Sequence, residues 1–228
     1  MCQEVFEIVQ NMDKSHIETR IALQCAPLIT GIKISNLLIV NECDEAGVRM
    51  ILKKSGMIHY RLLRFDGKTT FLVFHKTQLA SYLENIKVLR ILEATGYHDL
   101  SLGGILRTFQ CRYEAHFKSN LVDGEEHRTN SFVSCCHPQE LSSCKETLKQ
   151  AGPFPHEMGL LLGYPVEDVE GFIKHCGKNY LYSGYWKVYK DVEEKKKIFE
   201  AYEYAKEQMI LFLAQGYKMR SIIQMCQR

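Results

Sequence analysis

A chain of 228 residues with 46% hydrophobic and 25% charged residues has an ordinary globular composition and is long enough for one sizeable core. Its net charge is only +2, and its one basic run, Lys195, Lys196 and Lys197, follows Glu193 and Glu194. That pattern describes a solvated helix face and gives no reason to expect a nucleic-acid partner.

No apolar run reaches the roughly 18 to 20 residues that a membrane-spanning helix needs. The first residues are acidic where a secretion signal would be basic. A cytoplasmic protein is expected, without membrane or nucleic-acid partners, and its nine cysteines are expected as reduced thiols. Their odd number and irregular spacing also argue against a disulfide framework.

Helical spacing of Val5, Ile8, Val9, Met12, Ile17 and Ile21 predicts a helix over 3–24 with a break around 13–15. Pro27 and Gly31 then predict a shaped loop containing Cys25. Residues 36–41 suit a buried strand, and 44–55 a helix closed at Gly56. Asp66-Gly67 between two apolar runs, 58–65 and 69–75, is a strong hairpin signal.

Helices are expected over 77–94 and 100–118, the second softened by Gly103 and Gly104. Residues 119–137 read as an exposed, flexible insert, and 138–150 as a short helix. Residues 152–189 then carry three prolines, six glycines and the only tryptophan. Such punctuation specifies a backbone path residue by residue. Pro155 suits a helix start with His156 and Glu157 in its first turn, and Pro165 starts a second helix over 166–176. Residues 180–189 are expected as one aromatic strand, and 191–214 as a long helix.

Three segments together carry a resemblance: Cys25-Ala26-Pro27 with Gly31-Ile32-Lys33, then Phe154-Pro155-His156-Glu157 through Gly163-Tyr164-Pro165, then Gly184-Tyr185-Trp186-Lys187-Val188-Tyr189. The chain resembles a family of anaerobic bacteria characterised only as a domain of unknown function. The likeness covers most of the chain and implies no activity. The 119–150 insert is longer than the family pattern implies.

His156 has three chemical uses: general base, metal ligand, or donor to an anion near a helix start. Against these stands local structure, with Glu157 satisfying first-turn N–H groups. The pair lacks the second histidine of a His-Glu-x-x-His zinc motif, because residues 159 and 160 are Gly and Leu. Cys25 is either a nucleophile, needing a neighbour such as His156 or Lys33 to lower its pKa, or a buried apolar side chain. Cys135, Cys136, His137 and Cys144 offer soft ligands, but in no known metal spacing. The aromatic residues of 180–189 are either core or the lining of a pocket for a planar ligand.

The expected fold is α+β: one domain with a small, mainly antiparallel sheet against several helices. The leading functional expectation is a small-molecule-binding protein, possibly a thiol-dependent enzyme. In it Cys25 is nucleophile, His156 base and Glu157 orienting carboxylate, with Lys33, Tyr164, Asn179, Tyr182, Tyr185, Trp186 and Lys187 contacting ligand. A metal- or haem-handling protein and a non-enzymatic interaction module are the alternatives. No metal site is assigned, and the sequence names neither a cofactor nor an oligomeric state.

Overall fold

The computed structural model describes residues 3–13, 15–53, 55–119 and 156–226. The flexible insert expected at 119–137, the helix expected at 138–150 and the cysteines from 135 to 144 therefore lie almost wholly outside the described residues. Within those residues the protein is α+β, and no helix is long and apolar enough to cross a membrane. The chain forms two compact units. The first is Met1–Tyr82 with Leu161–Gly163 and Glu193–Arg228, and the second is Leu83–Leu160 with Tyr164–Val192.

The first unit is built on a three-stranded antiparallel sheet: β1 (Ser35–Asn41), β2 (Met57–Phe65) and β3 (Lys68–His75), in the order β1-β3-β2. Asp66 and Gly67 have φ values of 48° and 65°, so both adopt the left-handed conformation that a two-residue type I′ turn requires. β3 is central and buried along Thr69–Phe74. Helices α1 (Gln3–Asn11) and α2 (Ile17–Ile29) precede the sheet, and α3 (Glu45–Leu52) sits between β1 and β2 in the chain. The break between α1 and α2 falls where expected and is held by Asp13, whose carboxylate accepts from the Ser15 N–H at 2.8 Å.

The core of this unit joins Ile21, Ala22, Cys25 and Leu28 of α2 with Leu38, Val40, Phe71 and Val73 of the sheet. After a single helix α4 (Lys76–Leu83), the chain leaves for the second unit. It returns as α9 (Val192–Ala214) and α10 (Met219–Cys226), the latter packing on α2 and α3.

One expected helix is in fact two. The run over 77–94 divides into α4 and α5 (Ile86–Ala94), because the Asn85 side chain accepts from the Lys87 N–H at 2.9 Å and caps a new start. Helix α6 (Leu102–Ser119) is preceded by Ser101, whose hydroxyl accepts from the Gly104 N–H at 3.1 Å. Gly104 weakens helix propensity, yet a Cβ there would collide with the Asp99 side chain. The second unit continues with the four-residue α7 (Met158–Leu161), which crosses into the first unit at its end, and α8 (Val166–Lys174).

Residues 180–189 are not one strand. They form a tight hairpin, β4 (Tyr182–Ser183) against β5 (Lys187–Val188), closed by a Gly184 N–H to Trp186 carbonyl bond of 3.1 Å. Aromatic β-propensity predicts extended backbone, but it does not locate the reversal at Gly184.

Candidate functional site

Of the ten residues expected at a site, Cys25 and Lys33 belong to the first unit and the other eight to the second.

Cys25 lies inside α2, not in a loop, because the helix runs through Pro27 to Ile29. Proline removes one helical N–H and crowds the preceding turn. Asn36 donates its amide to the Gln24 carbonyl in the turn before the proline, and the Pro27 carbonyl, one of the last of the helix, accepts from the Lys33 N–H at 2.9 Å. The Gln24 side chain in turn accepts from the Ile39 N–H at 2.8 Å and donates to its carbonyl at 3.2 Å, covering the edge of β1.

Cys25 is therefore 1% exposed, and burial pushes its thiol up to about 12 despite Lys33 and Asn36. That corrects its expected role, since a nucleophilic cysteine needs access and a lowered pKa. Lys33 is 6% exposed, and its ammonium donates to Asn36 Oδ1 at 2.5 Å and lies 5.9 Å from the Tyr202 ring centre. Burial pushes Lys33 down to about 8, opposed by Cys25.

These shifts predict a pH profile with a definite sign. Lys33 falls from 10.5 to about 8, so the unfolded chain holds the extra proton and stability rises with pH above 8. Cys25 moves from 9.0 to about 12, which reverses the slope contribution above 9. Tyr202, raised by burial from 10.0 to about 12, adds a loss above 10. Thermal denaturation should show the first unit gaining about 1 kcal/mol between pH 8 and 9, levelling, then falling. A Lys33→Met variant should lose the initial rise. An unchanged rise in that variant contradicts the assignment.

In the second unit, the aromatic hairpin is tied down from beneath. Asp168, in the first turn of α8 and 2% exposed, accepts from Trp186 Nε1 and from the Tyr189 N–H, both at 2.7 Å. Tyr164 stacks on Trp186 at 4.8 Å, and its hydroxyl reaches the Tyr185 carbonyl at 3.5 Å. Lys187 donates to the Gly177 carbonyl at 2.8 Å and lies over the Tyr180 ring at 4.9 Å, so its ammonium serves the end of α8. Asn179 has φ 56° and contributes a left-handed turn, while Tyr182 is exposed on β4. Of the expected ligand-binding set, Tyr164, Tyr185 and Trp186 thus contact one another, and Lys187 is held by Gly177 and Tyr180.

Glu157 and His156 stand elsewhere in this unit. They precede α7 in a turn and are not part of a longer helix. Glu157 is 1% exposed, and its Oε1 accepts from the Tyr97 hydroxyl at 2.9 Å and pairs with Arg112 Nε at 3.1 Å. Its expected work as an orienting carboxylate is therefore spent on Tyr97 and Arg112. The Arg112 guanidinium also donates through Nη1 to the Thr95 carbonyl at 2.5 Å and lies 5.5 Å over the Tyr97 ring. Burial and the adjacent carboxylate push the Tyr97 hydroxyl well above its ordinary pKa.

His156 rests against the Phe172 ring at 5.4 Å. Although exposed by surface area, its ring has enough protein around it for desolvation to lead in depressing its pKa, followed by Arg112 and His116. Arg112 and His116 are four residues apart on α6 and share a face. Sequence reasoning missed both, together with Tyr97 and Asp168. An Arg-x-x-x-His pair beside an aromatic Phe109, Tyr113, Phe117 row was the available signal.

Among the described residues, no group of three or more His, Cys, Asp or Glu side chains is placed to hold a metal ion. The two units define an α+β protein with an antiparallel sheet in one and an aromatic hairpin anchored on a helix in the other. The chain belongs to the family described as "Protein of unknown function (DUF3793)", whose model matches residues 21–223. No curated protein and no solved structure matches it.

Proposed function

We propose that this is a cytoplasmic small-molecule-binding protein whose second unit takes up a small anion at Arg112, His116 and His156. One observation carries the reading. Arg112 is anchored through Nε by Glu157 and through Nη1 by Thr95, while its Nη2 end is not engaged among the described residues. A guanidinium fixed on one side and offered on the other is preorganised for an oxyanion, and the two neighbouring imidazoles add donors. Glu157 acts as the support that holds this geometry. The described cysteines are free thiols, in keeping with a reducing compartment. Burial of Cys25 speaks against thiol-dependent chemistry.

Calorimetric titration with sodium sulfate tests the site. A charge-assisted contact is worth about 1.5 to 3 kcal/mol, so His156→Ala should weaken binding roughly 10- to 100-fold. Its thermal stability should stay within about 1 kcal/mol of the parent, because an exposed turn residue contributes modestly to folding. Equal sulfate affinity in parent and variant contradicts the placement of the site.

A further inference from the structure

Resting on that reading, we infer that Glu157 is a built-in counter-ion that competes with the ligand for Arg112, and that Tyr97 is the positioning residue that keeps this carboxylate on the guanidinium. Glu157 Oε1 accepts from the Tyr97 hydroxyl at 2.9 Å and faces Arg112 Nε at 3.1 Å, so one oxygen serves both partners. Tyr97 is 1% exposed, and its ring centre lies 5.5 Å from the carbon of the same guanidinium. The Glu157 side chain is 1% exposed and that of Arg112 28%. The carboxylate is shut in, and of the two charges it is the cation that reaches water.

An anion arriving at Arg112 Nη2 is attracted by the guanidinium and repelled by Glu157. Both forces are stronger in this shielded place than in water. Glu157 thereby has two tasks that different substitutions separate. Its oxygen anchors Nε, and its charge holds down the affinity for the ligand. Without ligand, the same charge stabilises a partly buried cation that would otherwise lack a counter-ion. The Tyr97 hydroxyl serves the anchor. It fixes the oxygen that faces Nε, and the ring beside the guanidinium limits where that group can lie.

Sulfate calorimetry at constant ionic strength tests both roles. Glu157→Gln keeps a side-chain oxygen for Tyr97 and Nε but removes the charge, so sulfate should bind about tenfold more tightly than to the parent. Glu157→Ala removes charge and anchor together, and should bind at least about threefold more weakly than the glutamine variant. Tyr97→Phe keeps the ring and the charge but releases the anchor, so affinity should fall about three- to tenfold. A residue needed only for folding would weaken binding in every variant. Thermal denaturation gives a second reading: sulfate should raise the Tm of Glu157→Gln more than that of the parent, because the anion takes over as counter-ion. If Glu157→Gln is unfolded in buffer, sulfate should refold it, as followed by circular dichroism.

Sulfate binding to Glu157→Gln no tighter than to the parent, or failure of sulfate to refold that variant, overturns the counter-ion role. Parental affinity in Tyr97→Phe overturns the positioning role. Either result leaves the anion site standing. Absence of sulfate binding by the parent overturns the underlying reading, and this inference with it.

Discussion

Gly171→Ala should destabilise the second unit by roughly 3 kcal/mol or more, a large cost for one methyl group. A Cβ at this helical position would lie 2.7 Å from the Tyr189 Cβ and 2.9 Å from its Cδ1, well inside van der Waals contact. The neighbour has little room to yield. The Tyr189 N–H is bound to Asp168 at 2.7 Å, and its ring is stacked on His175 at 5.8 Å with a 10° interplanar angle. Helix propensity alone favours alanine over glycine by about 1 kcal/mol, so the two effects have opposite signs. Chemical denaturation decides between them. A variant as stable as the parent, or more stable, contradicts the packing described for α8 and the hairpin.

Asp168→Ala is the second large effect, expected at about 3 to 5 kcal/mol. The change leaves the Trp186 indole N–H and the Tyr189 amide without their acceptor in a buried place. Trp186 is the only tryptophan and is 8% exposed, so its fluorescence reports the hairpin directly. The emission should shift to the red in Asp168→Ala under native conditions, and less in Asp168→Asn, which keeps one acceptor oxygen. A parental spectrum in the alanine variant contradicts the role given to this carboxylate.

Features written by neighbouring residues are legible in the sequence. The Asp66-Gly67 turn needs only two residues that tolerate positive φ between alternating strands, and the three-stranded sheet follows from it. The long α9 follows from uninterrupted helical spacing. Features written by distant partners are not legible. Pro27 stays inside α2, with Asn36, farther along the chain, donating to the Gln24 carbonyl before it and the Lys33 N–H bonding the Pro27 carbonyl at the end of the helix. Local rules read the same proline as a loop.

The candidate site divides in the same way. His156-Glu157 is conspicuous as an unusual pair beside prolines, and Glu157 does stand in a buried polar network. Its chemistry depends on Tyr97 and Arg112, which lie 60 and 45 residues earlier in the chain. Without them Glu157 is read as a partner of His156, when its hydrogen bonds go to other groups. The aromatic residues of 180–189 are conspicuous too, yet Asp168, whose signal in sequence is only an acidic residue near a helix start, decides their arrangement.

The anion site is tested most directly by a histidine-selective NMR titration with sodium sulfate. His59 lies on β2 against Phe71 and His75 bonds the Leu28 carbonyl, both in the first unit, so they serve as internal controls. The resonances of His156 and His116 should move together along one saturating curve, with His59 and His75 unmoved. Shifts spread evenly over all histidines, or none at His156, would contradict the assignment of Arg112, His116 and His156 as an anion-binding site.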